Sequence, residues 1–410
     1  MQAVKKGFPR GVIGVFLFLL GLLPSPLLSG QNAPELESRA GVLMDAATGT
    51  LLYVKNGDEE IPPASLAKLM TIHIALREIA AGRASLEEII PLPRESWAIN
   101  QPPRSSLMFL AAGQRVSLGE LLLGLAIPSG NDAAVAVALR FAPTVEEFVG
   151  LMNQEARNLG LSQTRFVEPS GISEENITTA REFAYFCREY LLLHPETLKD
   201  IHSVREFAYP KASNVGEAYR NRPGTILQYN HNALLTEGFE GVDGLKTGYI
   251  DEAGYNIALT AERRGTRFIA VILGAPAASR GDRIRDEDGR RLLSWGFENF
   301  KTLRPELGEL PPARIWKGKG DYIPVIPGGS LVFTAPASRG NALRWETEME
   351  DPLIAPLPKG SPAGDLILYD EGGELRRFSL LTAEEAEPGS FFKGLWDTIR
   401  LFFRSLDKNP

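Results

Sequence analysis

Apolar residues change their spacing several times along the chain, and each change marks an element. Lys5, Lys6 and Arg10 precede an uncharged run from Gly11 to Leu23, closed by Pro24, Pro26, Ser29 and Gly30. At about 13 residues the run is short of the roughly 20 that a bilayer-crossing helix needs, so residues 1–30 read as a secretory signal peptide cut near Gly30, with an uncleaved anchor as the alternative. No cysteine follows the run, which excludes a lipid attached through sulfur. In "SRAGVLMDAATGTLLYVKN" two β-prone runs flank Ala47, Thr48 and Gly49, the pattern of a hairpin. Helical apolar stretches follow at Ser65 to Ala81, Leu118 to Ile127, Asn131 to Phe141, Thr144 to Leu159 and Thr179 to Leu193.

β character returns in "VDGLKTGYI", "YNIALTAER" and "TRFIAVILGA", with Gly265 in the tight connection between the last two, before a charged helix around Arg283 to Phe297. Strands at both ends with helices between them predict an α/β (α+β) domain over residues 34–300, in which both ends complete one antiparallel sheet flanked by helices. After Phe300 the texture changes. "LRPELGELPPARIW" carries three prolines, and the short strand-like pieces "YIPVI", "SLVFTAP", "ALRWETE", "DLILYD" and "LRRFSLL" predict a small all-β domain at 310–385.

The end, "GSFFKGLWDTIRLFFRSLDKNP", differs again. At about 100° per residue, Phe391, Phe392, Leu395, Trp396, Ile399, Phe402, Phe403 and Leu406 fall within an arc of roughly 140°. Lys393, Asp397, Arg400, Arg404, Asp407 and Lys408 take the other side. Residues 389–407 therefore predict an amphipathic helix lying in the plane of a membrane surface; docking on its own protein is the competing reading.

Composition narrows the partners. The chain has 410 residues, 44% of them hydrophobic, enough to bury a full core. Its net charge is −7 and its 44 Lys and Arg are spread out, so no basic face invites nucleic acid. Cys187 is the single thiol, which leaves the exported protein without an internal disulfide. Within "EFAYFCREYLLL" it is expected to pack as a small buried filler.

In "PPASLAKLMT", Ser65 stands three positions before Lys68. On a helix that starts there the two share a face, so the lysine amine can reach the serine hydroxyl while the helix N-terminus favours developing negative charge. S-x-x-K alone is weak, because a chain this long contains on the order of one by chance. Ser390 and Lys393 make a second copy, read as solvated. The first copy has company. "AIPSGNDAAVAVA" places Ser129, Gly130 and Asn131 in a turn that opens a helix, and "VDGLKTGYI" places Lys246, Thr247 and Gly248 on a strand. A K-T-G triplet arises by chance in about one such chain in ten.

The set S-x-x-K, S-x-N and K-T-G, with Gly130 in place of the Asp of S-D-N, resembles the D-alanyl-D-alanine carboxypeptidases, the low-molecular-mass penicillin-binding proteins. "SGNDAA", "GLKTGYIDEAGYN", the β-rich domain and "FFKGLWDTIRLFF" extend the resemblance over nearly the whole mature chain. It implies a β-lactamase/transpeptidase-like catalytic domain that removes the terminal D-alanine from peptidoglycan stem pentapeptides without a cofactor. It also implies β-lactams as covalent inhibitors and an exported enzyme, peripheral on the outer, periplasmic face of the cytoplasmic membrane. By the same resemblance Ser65 is the nucleophile, Lys68 its base, Ser129 a proton shuttle and Asn131 an orienting group. Lys246 and Thr247 hold the terminal carboxylate, Gly248 permits close approach of the peptide, and the backbone N–H groups of Ser65 and Tyr249 form the oxyanion hole. To act near neutrality Lys68 must fall about three units from its free value, through burial and a second cation such as Lys246.

Competing chemistries are less well served. His73, His194, His202 and His231 accompany no G-x-S-x-G elbow and lack metal spacing; His73 is expected to be packed or partner-bonded. A β-lactamase needs a deacylating glutamate, and in "RFVEPSGISEENITT" none of Glu168, Glu174 and Glu175 fits E-x-x-L-N. A D,D-endopeptidase or a weak β-lactamase on the same site and a non-catalytic wall-binding scaffold remain as alternatives. The β-rich domain, with no visible site, is read as a stalk or a partner-binding module.

Overall fold

The computed structural model describes residues 33–215 and 224–407, so the expected signal peptide at 1–30 lies outside the described residues. The main sheet runs in the order Leu51–Lys55, Ala40–Asp45, Thr266–Ala275, Gly254–Arg263, Val242–Ile250, with every pairing antiparallel. The N-terminal hairpin thus joins the last strand, Val42 opposite Val271, as the order of elements predicts. Helices cover both faces. Ile269, Val271 and Leu273 enter a large core with Met70, Leu121, Val137, Phe148 and Phe183, from the helices Lys68–Ala80, Leu118–Ala126, Asn131–Phe141, Val145–Asn158 and Ala180–Leu193. Phe268, Ala270 and Ile272 enter a second core with Leu292, Leu293 and Trp295 of the helix Gly281–Asn299. Burial on both faces is why "TRFIAVILGA" is a near-continuous apolar run instead of an alternating one.

Local signals agree with these elements. Ser117 and Glu120 cap the helix Leu118–Ala126 reciprocally, and the Thr144 and Thr179 hydroxyls cap Val145–Asn158 and Ala180–Leu193. Arg264 and Gly265 both have positive φ, 51° and 75°, which suits the two-residue turn of a twisted hairpin. The short hairpin of Glu206–Tyr209 with Ile226–Tyr229 has no counterpart in the sequence reading, because four-residue strands with mixed exposure carry no clear period.

Past the helix Gly281–Asn299, Phe300–Leu303 pairs with Phe333–Pro336, so the all-β region begins on a strand continuous with the helical domain. The junction is polar: Asp45 Oδ2 accepts from Thr302 Oγ1 and from Thr334 Oγ1, each at 2.8 Å. Beyond it a four-stranded sheet (Val325–Pro327, Gly373–Thr382, Pro362–Asp370, Arg344–Met349) packs with three short strands around Ile315, Val325, Leu366 and Leu380.

The terminal helix Phe391–Asp407 lies on this region through its polar face. Asp397 accepts from the Lys317 N–H at 2.8 Å, Arg404 pairs with Asp351 at 2.5 Å, and Lys393 donates to the Gly320 carbonyl at 3.0 Å and pairs with Asp321. Lys393 is therefore not the solvated residue expected, since helix docking supplies it with acceptors. The apolar face stays uncovered, with Phe391 79%, Phe392 80% and Trp396 57% exposed. Among the described residues no helix is long and apolar enough to cross a membrane.

Candidate active site

Ser65 sits in a 3₁₀ turn, Ala64–Ala67, that feeds the α-helix starting at Lys68. A 3₁₀ turn has about three residues per turn, so positions i and i+3 eclipse. Lys68 Nζ accordingly lies 2.9 Å from Ser65 Oγ. The same ammonium donates to Asn131 Oδ1 at 2.7 Å and to the Ser170 carbonyl at 2.5 Å. Lys68 is wholly buried whereas Ser65 remains half-buried at the edge of a cavity. Burial brings the lysine down to about 7, against the opposing pull of the Glu168 and Asp132 carboxylates. Just above that pH the amine is neutral, and its lone pair can take the hydroxyl proton.

Between the helices Leu118–Ala126 and Asn131–Phe141, Ser129 adopts a left-handed backbone, φ 63°. Its hydroxyl is buried and has no hydrogen-bond partner among the described residues. Leaving such a group unsatisfied costs about 1–3 kcal/mol, a strain that functional sites retain. The unexpected glycine at the centre of the motif also has a reason. A Cβ on Gly130 would lie 2.7 Å from Asp132 Oδ1 and 2.9 Å from the Met108 nitrogen. Asp132 is committed there, accepting from the N–H groups of Met108 at 2.8 Å and Leu110 at 2.9 Å.

The strand Val242–Ile250 brings the third motif against the first. A Cβ on Gly248 would stand 2.9 Å from the Ser65 nitrogen and 3.0 Å from the Pro63 carbonyl oxygen, so only glycine lets the strand pass this close. Lys246 and Thr247 are buried, and Lys246 Nζ donates to the Thr247 carbonyl at 3.0 Å. Burial, then Lys68, then Arg285 hold Lys246 well below the usual lysine range. Burial is thus the main cause that lowers both lysines, and two cations this close disfavour each other's charged form. Tyr249 projects into the cleft, 40% exposed, its ring 4.2 Å from that of Tyr255 and its hydroxyl donating to Asp251 at 2.5 Å.

The sequence profile of the D-alanyl-D-alanine carboxypeptidases matches residues 28–277, and that of the penicillin-binding protein 5 C-terminal domain matches 308–388. The chain belongs to the D-alanyl-D-alanine carboxypeptidase family. It is 33% identical over 410 residues to D-alanyl-D-alanine carboxypeptidase DacC of Escherichia coli, covering 98% of this chain and 97% of that one. Penicillin-binding protein 5 of Haemophilus influenzae superposes with a TM-score of 0.74 at 28% identity, over 87% of this chain and 100% of the other. Penicillin-binding protein D2 of Listeria monocytogenes in its ampicillin-bound form matches 65% of this chain and all of its own, with a TM-score of 0.54 at 28% identity. The activity is that of a serine D-alanyl-D-alanine carboxypeptidase, and the fold is the α/β penicillin-binding one.

Several groups that support the carboxypeptidase's site carry no motif. Glu168, weighed above as a deacylating base, braces a loop. Its carboxylate accepts from the N–H and hydroxyl of Ser170 at 2.7 and 2.6 Å, from Gly171 N–H at 2.6 Å and from Asn176 Nδ2 at 2.5 Å. That loop presents the Ser170 carbonyl to Lys68. Glu174 and Glu175 are exposed on the same loop. Behind the K-T-G strand, His202 Nδ1 donates to the Leu245 carbonyl at 3.2 Å while its Nε2 accepts from Tyr190 at 2.7 Å, a tautomer assigned from its partners. Burial holds His202 down at about 3, so it stays neutral beside Lys246. His73 is bonded to Glu155 and His194, each at 3.1 Å, and His231 is exposed. Cys187 is buried, and burial pushes its thiol far up. A main-chain carbonyl such as Ser170's leaves no trace in residue type; only Gly171, in "EPSGIS", signals that the chain turns there.

Proposed function

We propose that this carboxypeptidase releases the terminal D-alanine of peptidoglycan stem pentapeptides through an acyl-enzyme on Ser65. The observation that carries the assignment is a buried lysine held near 7 with its amine 2.9 Å from the serine hydroxyl. Ser65 Oγ attacks the carbonyl carbon between the two D-alanines while its proton passes to Lys68. The backbone N–H groups of Ser65 and Tyr249 receive the oxyanion, each contributing about 3 kcal/mol in sites of this kind. Ser129, whose hydroxyl has no partner among the described residues, gives its proton to the departing amine as the C–N bond breaks and takes up the one held by Lys68, which leaves the lysine neutral again. Asn131 orients Lys68 and the substrate amide. Lys246, Thr247 and the nearby Arg285 form the field for the terminal carboxylate, and an arriving anion favours the charged form of Lys246. Water then gives a proton to Lys68 and attacks the ester carbonyl; the acyl–Oγ bond breaks and the Lys68 ammonium returns the proton to Ser65 Oγ.

Because the ampicillin-bound Listeria neighbour shares this fold, β-lactams are expected to be trapped at Ser65. Glu168 already serves five donor groups and is poorly placed to speed hydrolysis of that adduct, which favours slow release over β-lactamase action. The test is intact mass spectrometry of the purified protein after exposure to a β-lactam, with peptide mapping and a D-alanine release assay. One adduct on the Ser65 peptide is the expected result; untouched drug with no adduct on the folded protein overturns the assignment.

The exported enzyme is further proposed to sit on the periplasmic face of the cytoplasmic membrane, held by Phe391–Asp407. Burying its exposed aromatic side chains at about 1.5–3 kcal/mol each supports attachment, because the helix is already ordered against the β-rich region by its polar face. Removing Ser390–Pro410 is expected to move the protein from the membrane to the soluble fraction. Retention of the shortened chain would place the anchor elsewhere.

A further inference from the structure

The cavity beside Ser65 has a volume of about 480 Å³, and its far wall takes no part in the chemistry above. Arg104, in an exposed loop, lines it together with Asp251 and Glu252, from the turn that follows the K-T-G strand. Arg104 and Glu252 make no ion pair among the described residues, and the Asp251 carboxylate accepts from the Tyr249 hydroxyl at 2.5 Å. Opposite charges that line one cavity without pairing leave both open to a ligand. Between them the wall is apolar: the Tyr249 ring, backed by Tyr255 at 4.2 Å, and Ile172, 38% exposed.

Which part of a substrate reaches this wall follows from the strand, on the reading of the site given above. The terminal carboxylate lies at Lys246 and Thr247 and the scissile carbonyl at the Tyr249 N–H. A strand advances about 3.3 Å per residue, with alternate residues on one side. The next residue of the substrate, third in the stem, therefore falls beside Ile250 and the Asp251–Glu252 turn.

We propose that this wall is a charge-selective subsite for the third stem residue, fitted to a side chain that ends in an ammonium and a carboxylate on one carbon. Arg104 takes the carboxylate, Asp251 and Glu252 take the ammonium, and Tyr249 with Ile172 covers the methylenes. A side chain ending in an ammonium alone leaves Arg104 without a partner, so stems carrying lysine are the poorer substrates.

The experiment compares kcat/KM for two pentapeptides that differ only at the third residue, meso-diaminopimelate or lysine, using the whole mature enzyme. The expected preference is roughly fivefold to tenfold for the diamino diacid, the size of one charge-assisted pair at a half-exposed site. Arg104→Gln brings the ratio near unity, whereas Glu252→Gln lowers both values together. Equal turnover of the two peptides by the wild-type enzyme overturns the subsite and leaves the carboxypeptidase reading intact. Turnover of neither, on enzyme that a β-lactam still acylates, overturns the assigned substrate and the subsite with it.

Discussion

Replacing Lys68 with alanine is expected to slow acylation of Ser65 by about 10³-fold at neutral pH, the usual worth of a placed general base. Among the described residues Lys68 is the side chain bonded to Ser65 Oγ, whereas Lys246 donates to the Thr247 carbonyl, His202 is tied to Tyr190 and Leu245, and Glu168 is tied to its loop. The pH dependence gives an independent check. With its value lowered from 10.5 to about 7, Lys68 is protonated at lower pH and cannot accept the serine proton. The acylation rate of the wild-type enzyme should rise with pH through about 7, and the step should vanish in Lys68→Ala. The same shift has a sign for stability. Between about 7 and 10.5 the unfolded chain holds a proton that the native lysine has lost, so this group's contribution makes the fold more stable as pH rises through that window. Stopped-flow acylation across the pH range decides; a flat wild-type profile would remove Lys68 from the role of base.

A change of one methyl group away from the motifs should be nearly as damaging. Gly171 has φ +82°, and a Cβ there would lie 1.8 Å from the Ala64 carbonyl oxygen and 2.8 Å from the Ser65 nitrogen. These are main-chain atoms of the nucleophile turn, so no side chain can swing aside. Gly171→Ala must push the loop away from Ala64, and the Ser170 carbonyl then leaves Lys68. The left-handed backbone and the overlap together cost about 3 kcal/mol, on the order of 5–10 °C in Tm, and acylation should fall at least about a hundredfold. Gly160→Ala is the comparison. Its φ is +74° but nothing lies within 4 Å, so it should show the modest loss of Tm alone. Calorimetry and acylation rates on the two variants separate backbone strain from displacement of the turn. Wild-type acylation by Gly171→Ala would mean that the loop does not position Lys68.

The parts of the site that could be read from the chain are those whose partners lie within one turn or one strand. Ser65 and Lys68 are three residues apart, so any helical turn brings them together, and Gly248 beside Lys246 and Thr247 reads as a strand that must come close to something. The rest depends on pairs far apart in sequence. Glu168 was visible as a carboxylate, but its work as a loop brace appears only once Ser170, Gly171 and Asn176 surround it. His202 looked like one of four unassigned histidines, and its place behind Lys246 depends on the Leu245 carbonyl, 43 residues away. Gly130 departed from the expected motif, and the reason lies in the carboxylate of Asp132 and the backbone of Met108.

Patterning and spacing by themselves determined the architecture: a hairpin whose strand joins the last one, helices over the sheet, an all-β region, a tail apolar on one side, and three motifs in order. These are consequences of backbone periodicity, which every residue reports locally. Only the tertiary structure decided that Lys68 and Lys246 are both desolvated, and that the Ser129 hydroxyl is buried with no partner among the described residues. It also turned the tail's polar face onto Lys317, Asp321 and Asp351, leaving the aromatic face outward. Desolvation and hydrogen bonding depend on everything that surrounds an atom, and those surroundings exist only after the chain has folded.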